Sequence, residues 1–266
     1  MNIFLKKHSK VLLIAHRGAN RIEPENTLAA FETAIALGSD AIELDVQLTK
    51  DDHVVVFHDR SIRRMTRQSG SIAGSSWRQL KTIPLIKKSS TGKTQHISLL
   101  RDVLHDLGPS AYWQIELKSF YGIRSIGRRR LLARLVVDTI VGLKLTHRVM
   151  IKSFDPYVLR EVKRYNSDIT CGFLLAPGLQ AIRHVGVGRQ AFQLCEIIEP
   201  RRIDERLIKS LHHANKLVIP WAIDDPVLAQ KISQLGIQGI VTNEILLIKK
   251  ALNNVKTQPR TQRQSS

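Results

Sequence analysis

Eight short apolar runs, most of them separated by a helix-length segment, constrain the fold of this chain more than any other feature. They are VLLIA (11–15), AIELDVQL (41–48), YWQIEL (112–117), RVMIKSF (148–154), ITCGFLL (169–175), FQLCEII (192–198), LVIPWAI (217–223) and GIVT (239–242). Such lengths suit strands, and a helix-length crossover between successive strands implies parallel pairing. Helices are expected near 98–107, 127–143, 155–165, 203–214, 225–235 and 244–252. The first helix is the clearest, with Asn26 as its cap, Leu28, Phe31 and Ile35 on one face, and Gly38 as its left-handed end. Eight such units predict an α/β fold, a single (β/α)8 TIM barrel, and 266 residues suit one. The pattern by itself is also compatible with an open doubly wound sheet.

One segment breaks the alternation. LTKDDHVVVFHD (48–59) reads as a polar turn, Lys50 to His53, followed at once by a strand, Val54 to His58, and so predicts a β-hairpin extension after the second strand. Residues 60–97 show little periodicity and are expected to form a short loop excursion over the top of the barrel. The barrel then occupies residues 1–256, and 257–266, TQPRTQRQSS, form a disordered basic tail without an apolar anchor.

Charge narrows the partners: 41 Lys and Arg against 23 Asp and Glu give a net +18, which suits an anionic partner or surface. Aromatic residues make up only 5% of the chain and no nucleic-acid motif is present, so nucleic acid is not an expected partner. The richest apolar segment, LLARLVVDTIVGLKL (131–145), is interrupted by Arg134, Asp138 and Lys144, and the run Val11 to Ala15 is too short for a secretory signal. A soluble, cytoplasmic protein is expected, with peripheral contact to anionic membrane as one use for the surplus charge. Cys171 and Cys195 lack metal-type spacing and read as reduced core thiols.

In a parallel barrel the chemistry sits at the C-terminal ends of the strands. His16 and Arg17 stand where the first strand ends. Glu43 and Asp45 are two residues apart on the second, so both face the same side. Glu116 and Lys118 repeat that spacing on another strand, and His58 ends the hairpin beside Asp59. Buried charges each carry a desolvation cost of several kcal/mol, so such a set is hard to explain as structure alone. Three carboxylates suit a hard divalent cation, magnesium or calcium, while Arg17 and Lys118 suit a phosphate. Two imidazoles suit an acid and a base near neutral pH. Phosphate ester cleavage fits every part.

AHRGANRIEPENTLAAFETAIALGSDAIELDVQLTKDDHVVVFHD (15–59) closely resembles the signature of the glycerophosphodiester phosphodiesterase family. IELK (115–118), SF (153–154), WAID (221–224) and GIVTN (239–243) resemble its later motifs in the same order, and the resemblance spans about residues 11–247. It implies a (β/α)8 barrel that hydrolyses glycerophosphodiesters to glycerol 3-phosphate and an alcohol with one divalent cation. By motif, His16 and His58 match the catalytic pair, Glu43, Asp45 and Glu116 the metal ligands, Arg17 and Lys118 the phosphate-binding cations, and Trp221 an aromatic lining the substrate pocket. Where the family usually places Asp-Gly, this chain has Asp51-Asp52. A lysophospholipase D acting on singly acylated substrates is the second enzymatic reading, and a non-catalytic barrel binding anionic lipid the reading from another class.

Overall fold

The computed structural model describes residues 2–6, 10–119, 125–175, 194–197 and 203–254, with the backbone alone at 194–197. Eight parallel strands run around a barrel: β1 (Leu12–Ala15), β2 (Ala41–Leu48), β5 (Trp113–Leu117), β6 (Val149–Ser153), β7 (Thr170–Leu175), β8 (Leu194–Ile197), β9 (Leu217–Pro220) and β10 (Gly239–Thr242). The ladder order is β10-β1-β2-β5-β6-β7-β8-β9. The circuit returns at β9 and β10, which lie side by side and share the flanking bonds Gln238 N–H to Val218 O (2.8 Å) and Ile223 N–H to Val241 O (2.9 Å) rather than a continuous ladder.

Helices follow the strands as the sequence pattern requires: α1 (Leu28–Ala36), α4 (Leu100–Leu107), α5 (Ile126–Gly142), α6 (Pro156–Tyr165), α7 (Glu205–His213), α8 (Pro226–Ser233) and α9 (Ile245–Asn253). Asp155, Asp204 and Asp225 cap α6, α7 and α8 with their carboxylates, and Pro156 and Pro226 occupy first-turn positions that need no N–H. α1 departs from expectation at its start. Thr27, not Asn26, is the cap, accepting the Ala30 N–H at 3.2 Å. Asn26 instead turns left-handed and spends its amide on Asp45.

Strand parity divides the interior. Ile42, Leu44, Val46 and Leu48 of β2 face outward to the helices, with Leu13, Ala15, Trp113, Ile115 and Leu117 in the same layer. On β1, β2, β6, β9 and β10 the inward residues near the strand starts are apolar, and Leu12, Ile14, Ala41, Met150, Ile219 and Val241 form a separate cluster with Phe4. Further along β1, β2 and β6 the inward residues become His16, Glu43, Asp45 and Lys152, joined by Gln114 and Glu116 of β5, all buried. The barrel is therefore plugged with hydrocarbon at one end and charged at the other.

The hairpin forms as expected, with β3 (Val54–Val56) antiparallel to β2. Asp52 adopts φ 66°, so its turn keeps the left-handed geometry for which glycine is the usual residue. The excursion at 60–97 is more structured than a loop. It contains α2 (Arg63–Thr66) and α3 (Trp77–Leu80), returns through β4 (Ser98–Leu99) on β3, and has its own core of Val55, Phe57, Ile62, Ile72, Leu80, Leu85 and Ile97. Its one-turn helices are too short to show a period, which is why the sequence reads as irregular there. The expected basic tail at 257–266 lies outside the described residues. Among the described residues, no helix is long and apolar enough to cross a membrane. Cys171 is buried, its thiol pushed up to about 12 by burial, as an inert core thiol should be; the side chain of Cys195 lies outside the described residues.

Candidate active site

Glu43, Asp45 and Glu116 converge at the charged end of the barrel, each with a ligating oxygen within 4.8 Å of the others and each 0–1% exposed. The register that pairs Asp45 with Glu116 across β2 and β5 produces this closeness. Among the described residues, Glu43 Oε1, Asp45 Oδ1 and Glu116 Oε1 are met only by the ammonium groups of Lys152 and Lys118, and Glu116 Oε2 has no partner. Three buried acids whose inward oxygens converge and meet only ammonium groups are a donor set suited to a hard divalent cation.

Cations surround the acids. Lys118 Nζ lies 2.6 Å from Glu116 and 3.1 Å from Asp45. Arg17 reaches Asp45 at 3.3 Å, and its backbone N–H donates to Glu43 at 3.0 Å. That approach uses a left-handed Arg17 (φ 56°) followed by Gly18, where a Cβ would lie 2.7 Å from the Ala30 backbone. Burial opposes the charge of Asp45, yet Lys118 and Arg17 overcome it and hold its carboxyl well below the usual range. Glu116 goes the other way: burial, with Asp45 and Glu43 adding to it against Lys118, pushes its carboxyl up to about 7. Three carboxylates so close cannot all ionise freely without more positive charge.

Lys152 is a site residue that the sequence reading did not single out. It is fully buried, 3.2 Å from Glu43, with its ammonium 5.5 Å from the centre of the Trp221 ring. Its one visible signal is a lysine inside the apolar run VMIKS on an inward position. Replacing Lys152 with Met is expected to destabilise the protein by roughly 3–5 kcal/mol, because Glu43 is left charged and buried. Urea unfolding of the variant at neutral pH checks this.

The two histidines occupy different electrostatic settings. His16 Nδ1 sits 2.7 Å from Asn243 Oδ1. The Asn243 amide is oriented from both sides, its nitrogen donating to Asp224 at 2.7 Å and its oxygen accepting from Asn20 at 2.5 Å. The oxygen therefore faces His16, Nδ1 carries the proton, and Nε2 presents a lone pair 3.9 Å from Glu43 with no hydrogen-bond partner. Burial lowers the His16 pKa and keeps the ring neutral. Trp221 packs edge-on against it, centroids 5.3 Å apart.

His58 is held differently, on the rim. Gln47 donates to the carbonyls of Phe57, His58 and Asp59, and the Phe57 N–H bonds to Asp45 O, which fixes the hairpin end over the acids. His58 Nδ1 lies 2.6 Å from Asp59. Burial raises the Asp59 pKa, but hydrogen bonds from Arg64 and His58 outweigh it and keep the carboxylate charged. Arg64 then ties Asp59 (2.5 Å) to Glu25 (2.6 Å), and Glu25 pairs with Arg17 at 2.9 Å. An unbroken chain, Arg17–Glu25–Arg64–Asp59–His58, crosses the barrel mouth. Arg64→Ala is expected to lower turnover roughly ten- to a hundred-fold, as for other residues that orient an active group through a partner. Arg64→Lys should recover little, since a single ammonium cannot serve both carboxylates. Steady-state rates of the two variants test this.

All eight residues singled out in the sequence thus lie at one end of the barrel: His16, Arg17, Glu43, Asp45, Glu116 and Lys118 around the acids, Trp221 against His16, and His58 on the rim. Lys152, Asn243, Asn26, Glu25, Arg64 and Gln47 were not anticipated in this role.

Comparison with known proteins agrees with this arrangement. A glycerophosphodiester phosphodiesterase of Caldanaerobacter subterraneus subsp. tengcongensis is 32% identical over 237 residues, covering 88% of this chain and 95% of that protein. A solved putative glycerophosphoryl diester phosphodiesterase from Silicibacter pomeroyi DSS-3 superposes with a TM-score of 0.81 at 22% identity, covering 94% of this chain and 96% of that one. A phosphodiesterase from Oleispira antarctica, solved with the product sn-glycerol-3-phosphate, gives 0.80 at 22% identity over 92% of this chain and 98% of that one. The fold is the TIM barrel of these structures. With residues 16–247 matching its family pattern, the chain belongs to the glycerophosphoryl diester phosphodiesterase family.

Proposed function

We propose that this protein hydrolyses glycerophosphodiesters to glycerol 3-phosphate and an alcohol. The observation that carries the reading is a buried, converging triad of carboxylates with two imidazoles beside it, one enclosed and held by Asn243, the other on the rim and paired with Asp59. Glu43, Asp45 and Glu116 would hold a divalent cation, with magnesium favoured for a compact all-carboxylate set. When bound, such an ion draws charge from a phosphate oxygen and acidifies a hydroxyl beside it. Arg17 and Lys118 hold the phosphate, and Trp221 lines the pocket.

In this mechanism His16 Nε2 takes the proton from the attacking hydroxyl, since its lone pair faces the acids while Nδ1–H is committed to Asn243. His58, paired with Asp59, gives its proton to the departing alkoxide. If the glycerol 2-hydroxyl attacks, its oxygen bonds to phosphorus as the alcohol's bond to phosphorus breaks, giving a cyclic phosphate. Water then opens the ring with the roles reversed: His58 removes the proton from water, and His16 returns its proton to the 2-oxygen. Both side chains end in their starting forms.

A second reading, lysophospholipid cleavage by the same chemistry, is supported by the exposed apolar residues Ile22, Ile86 and Phe154 in segments at the mouth end. A cytoplasmic location and a single barrel domain with a basic tail belong to the same proposal. The test is product analysis with glycerophosphocholine, glycerophosphoethanolamine, glycerophosphoglycerol and lysophosphatidylcholine, each with magnesium, calcium or neither. Release of glycerol 3-phosphate from the first three is expected, fastest with magnesium. Production of choline from lysophosphatidylcholine alone would select the second reading, and no product from any substrate would reject both.

A further inference from the structure

The surplus charge is not spread evenly. Residues 57–97 carry nine Lys and Arg against one acid, Asp59, so this excursion holds +8 of the net +18. All nine cations are exposed. Two of them serve the barrel: Arg64 in the chain of ion pairs, and Lys87, whose ammonium donates to the carbonyls of Asn20 (3.2 Å), Arg21 (3.3 Å) and Glu23 (3.0 Å). The other seven, among them Arg63, Arg78, Lys81 and Lys88, enter no ion pair among the described residues. This contrasts with the arginine triplet at the start of α5, where Arg128 pairs with Asp52, Arg129 with Asp155 and Arg130 with Glu161.

Position and composition add to the charge. Lys87, together with Ser90 donating to the buried Glu23, fastens the excursion to the loop that follows β1 and carries Arg17, so the cations flank the mouth. On the two fastened segments, Ile22 and Ile86 are 43% and 44% exposed. Unpaired cations with apolar side chains among them complement a lipid headgroup layer, in which the cations meet phosphate and the isoleucines meet the acyl boundary. A nucleic acid would call for exposed aromatic platforms or groove-reading side chains. The aromatics of this segment, Phe57 and Trp77, pack into its core instead.

We propose that the exposed face of the excursion docks on anionic phospholipid and turns the barrel mouth toward the lipid. Sedimentation of the full chain with phosphatidylglycerol-containing vesicles, against phosphatidylcholine alone, tests this at low and physiological ionic strength. Binding to the anionic vesicles only is expected, weakening with salt. A variant with Arg63, Arg78, Lys81 and Lys88 changed to Gln should partition at least about tenfold less, from up to ~1 kcal/mol per cation at a membrane surface. A control with Lys144, Arg160, Lys231 and Lys250 changed to Gln, the same loss of charge outside the excursion, should lose no more than about a third of that effect on a logarithmic scale. Equal losses in the two variants would assign binding to net charge and overturn the proposal, as would equal binding to both vesicle types or none at low salt. Binding of duplex DNA in preference to vesicles, lost in the excursion variant, would reassign the face to nucleic acid. Circular dichroism and unchanged turnover of a soluble glycerophosphodiester show that the variants fold. Because sedimentation needs no turnover, its failure and a failure of the hydrolytic reading are separate results.

Discussion

Turnover of the His16→Ala and His58→Ala variants falls by roughly 10²–10⁴-fold each, the range for loss of a general acid or base. The two losses differ in kind. His16 is enclosed, with its proton fixed on Nδ1 by Asn243, so no bulk base can reach the position of Nε2 and small-molecule rescue should fail. His58 is about a quarter exposed, so added imidazole should restore part of the activity of its variant. Asn243→Asp gives a finer check, because a carboxylate at that position would stabilise the protonated ring, raise the His16 pKa and shift the acid limb of the pH–rate profile to higher pH. Near-normal rates in His58→Ala without added imidazole would show that the leaving group takes its proton by another route.

Exhaustive chelation is expected to abolish turnover, and re-addition of magnesium to restore it. The same loss is expected in Glu43→Gln, Asp45→Asn and Glu116→Gln, with no rescue at ordinary metal concentrations. The carboxyl of Glu116 gives this prediction a pH signature. Burial, reinforced by Asp45 and Glu43, pushes it up to about 7, so the metal-free protein carries a proton there at lower pH. An incoming cation must displace that proton. Metal affinity should therefore rise with pH up to about 7 and level off above it, with proton release largest on the acid side. The sign for the metal-free fold is the opposite. A raised carboxyl pKa means that the native state binds more protons than the unfolded chain between the ordinary glutamate value and about 7, so this group's contribution to stability declines as pH rises through that window. Calorimetric titrations in two buffers of different ionisation enthalpy measure the proton release. A release near zero at every pH would contradict the assignment of Glu116 as a ligand.

The parts of this site that a linear sequence displays are those whose pattern is local. Glu43 with Asp45, and Glu116 with Lys118, are each two residues apart on one strand, and that spacing places both members on the inner face. His16-Arg17 and His58-Asp59 end apolar runs, which marks the strand ends. The unanticipated residues all depend on partners far along the chain. Lys152 looks like a lone lysine in a strand until β6 is set in register with β5 and faces Glu43. Asn243 gains its meaning from Asp224 on one side and His16 on the other. Asn26 has the composition of a helix cap, but Thr27 beside it can do that work, which leaves Asn26 for Asp45. The excursion was legible only as an interruption, because Ile62, Ile72, Leu80, Leu85 and Ile97 are gathered by single turns with no repeat to count.

One strand decides how the molecule can change. Along the β3 segment, Val56 faces the barrel core, whereas Val55 and Phe57 face the small core of the excursion. The strand is thus a party wall, with each side furnished by alternate residues. Substitutions on one side weaken chiefly one unit, so the excursion's core and outer face can change while the carboxylates stay in register, provided that Arg64 and Lys87, which reach back to the barrel, are kept. The packing that supports the carboxylate-bearing strand and the packing that supports the basic excursion thus lie on opposite faces of the same short strand, so the two can diverge separately.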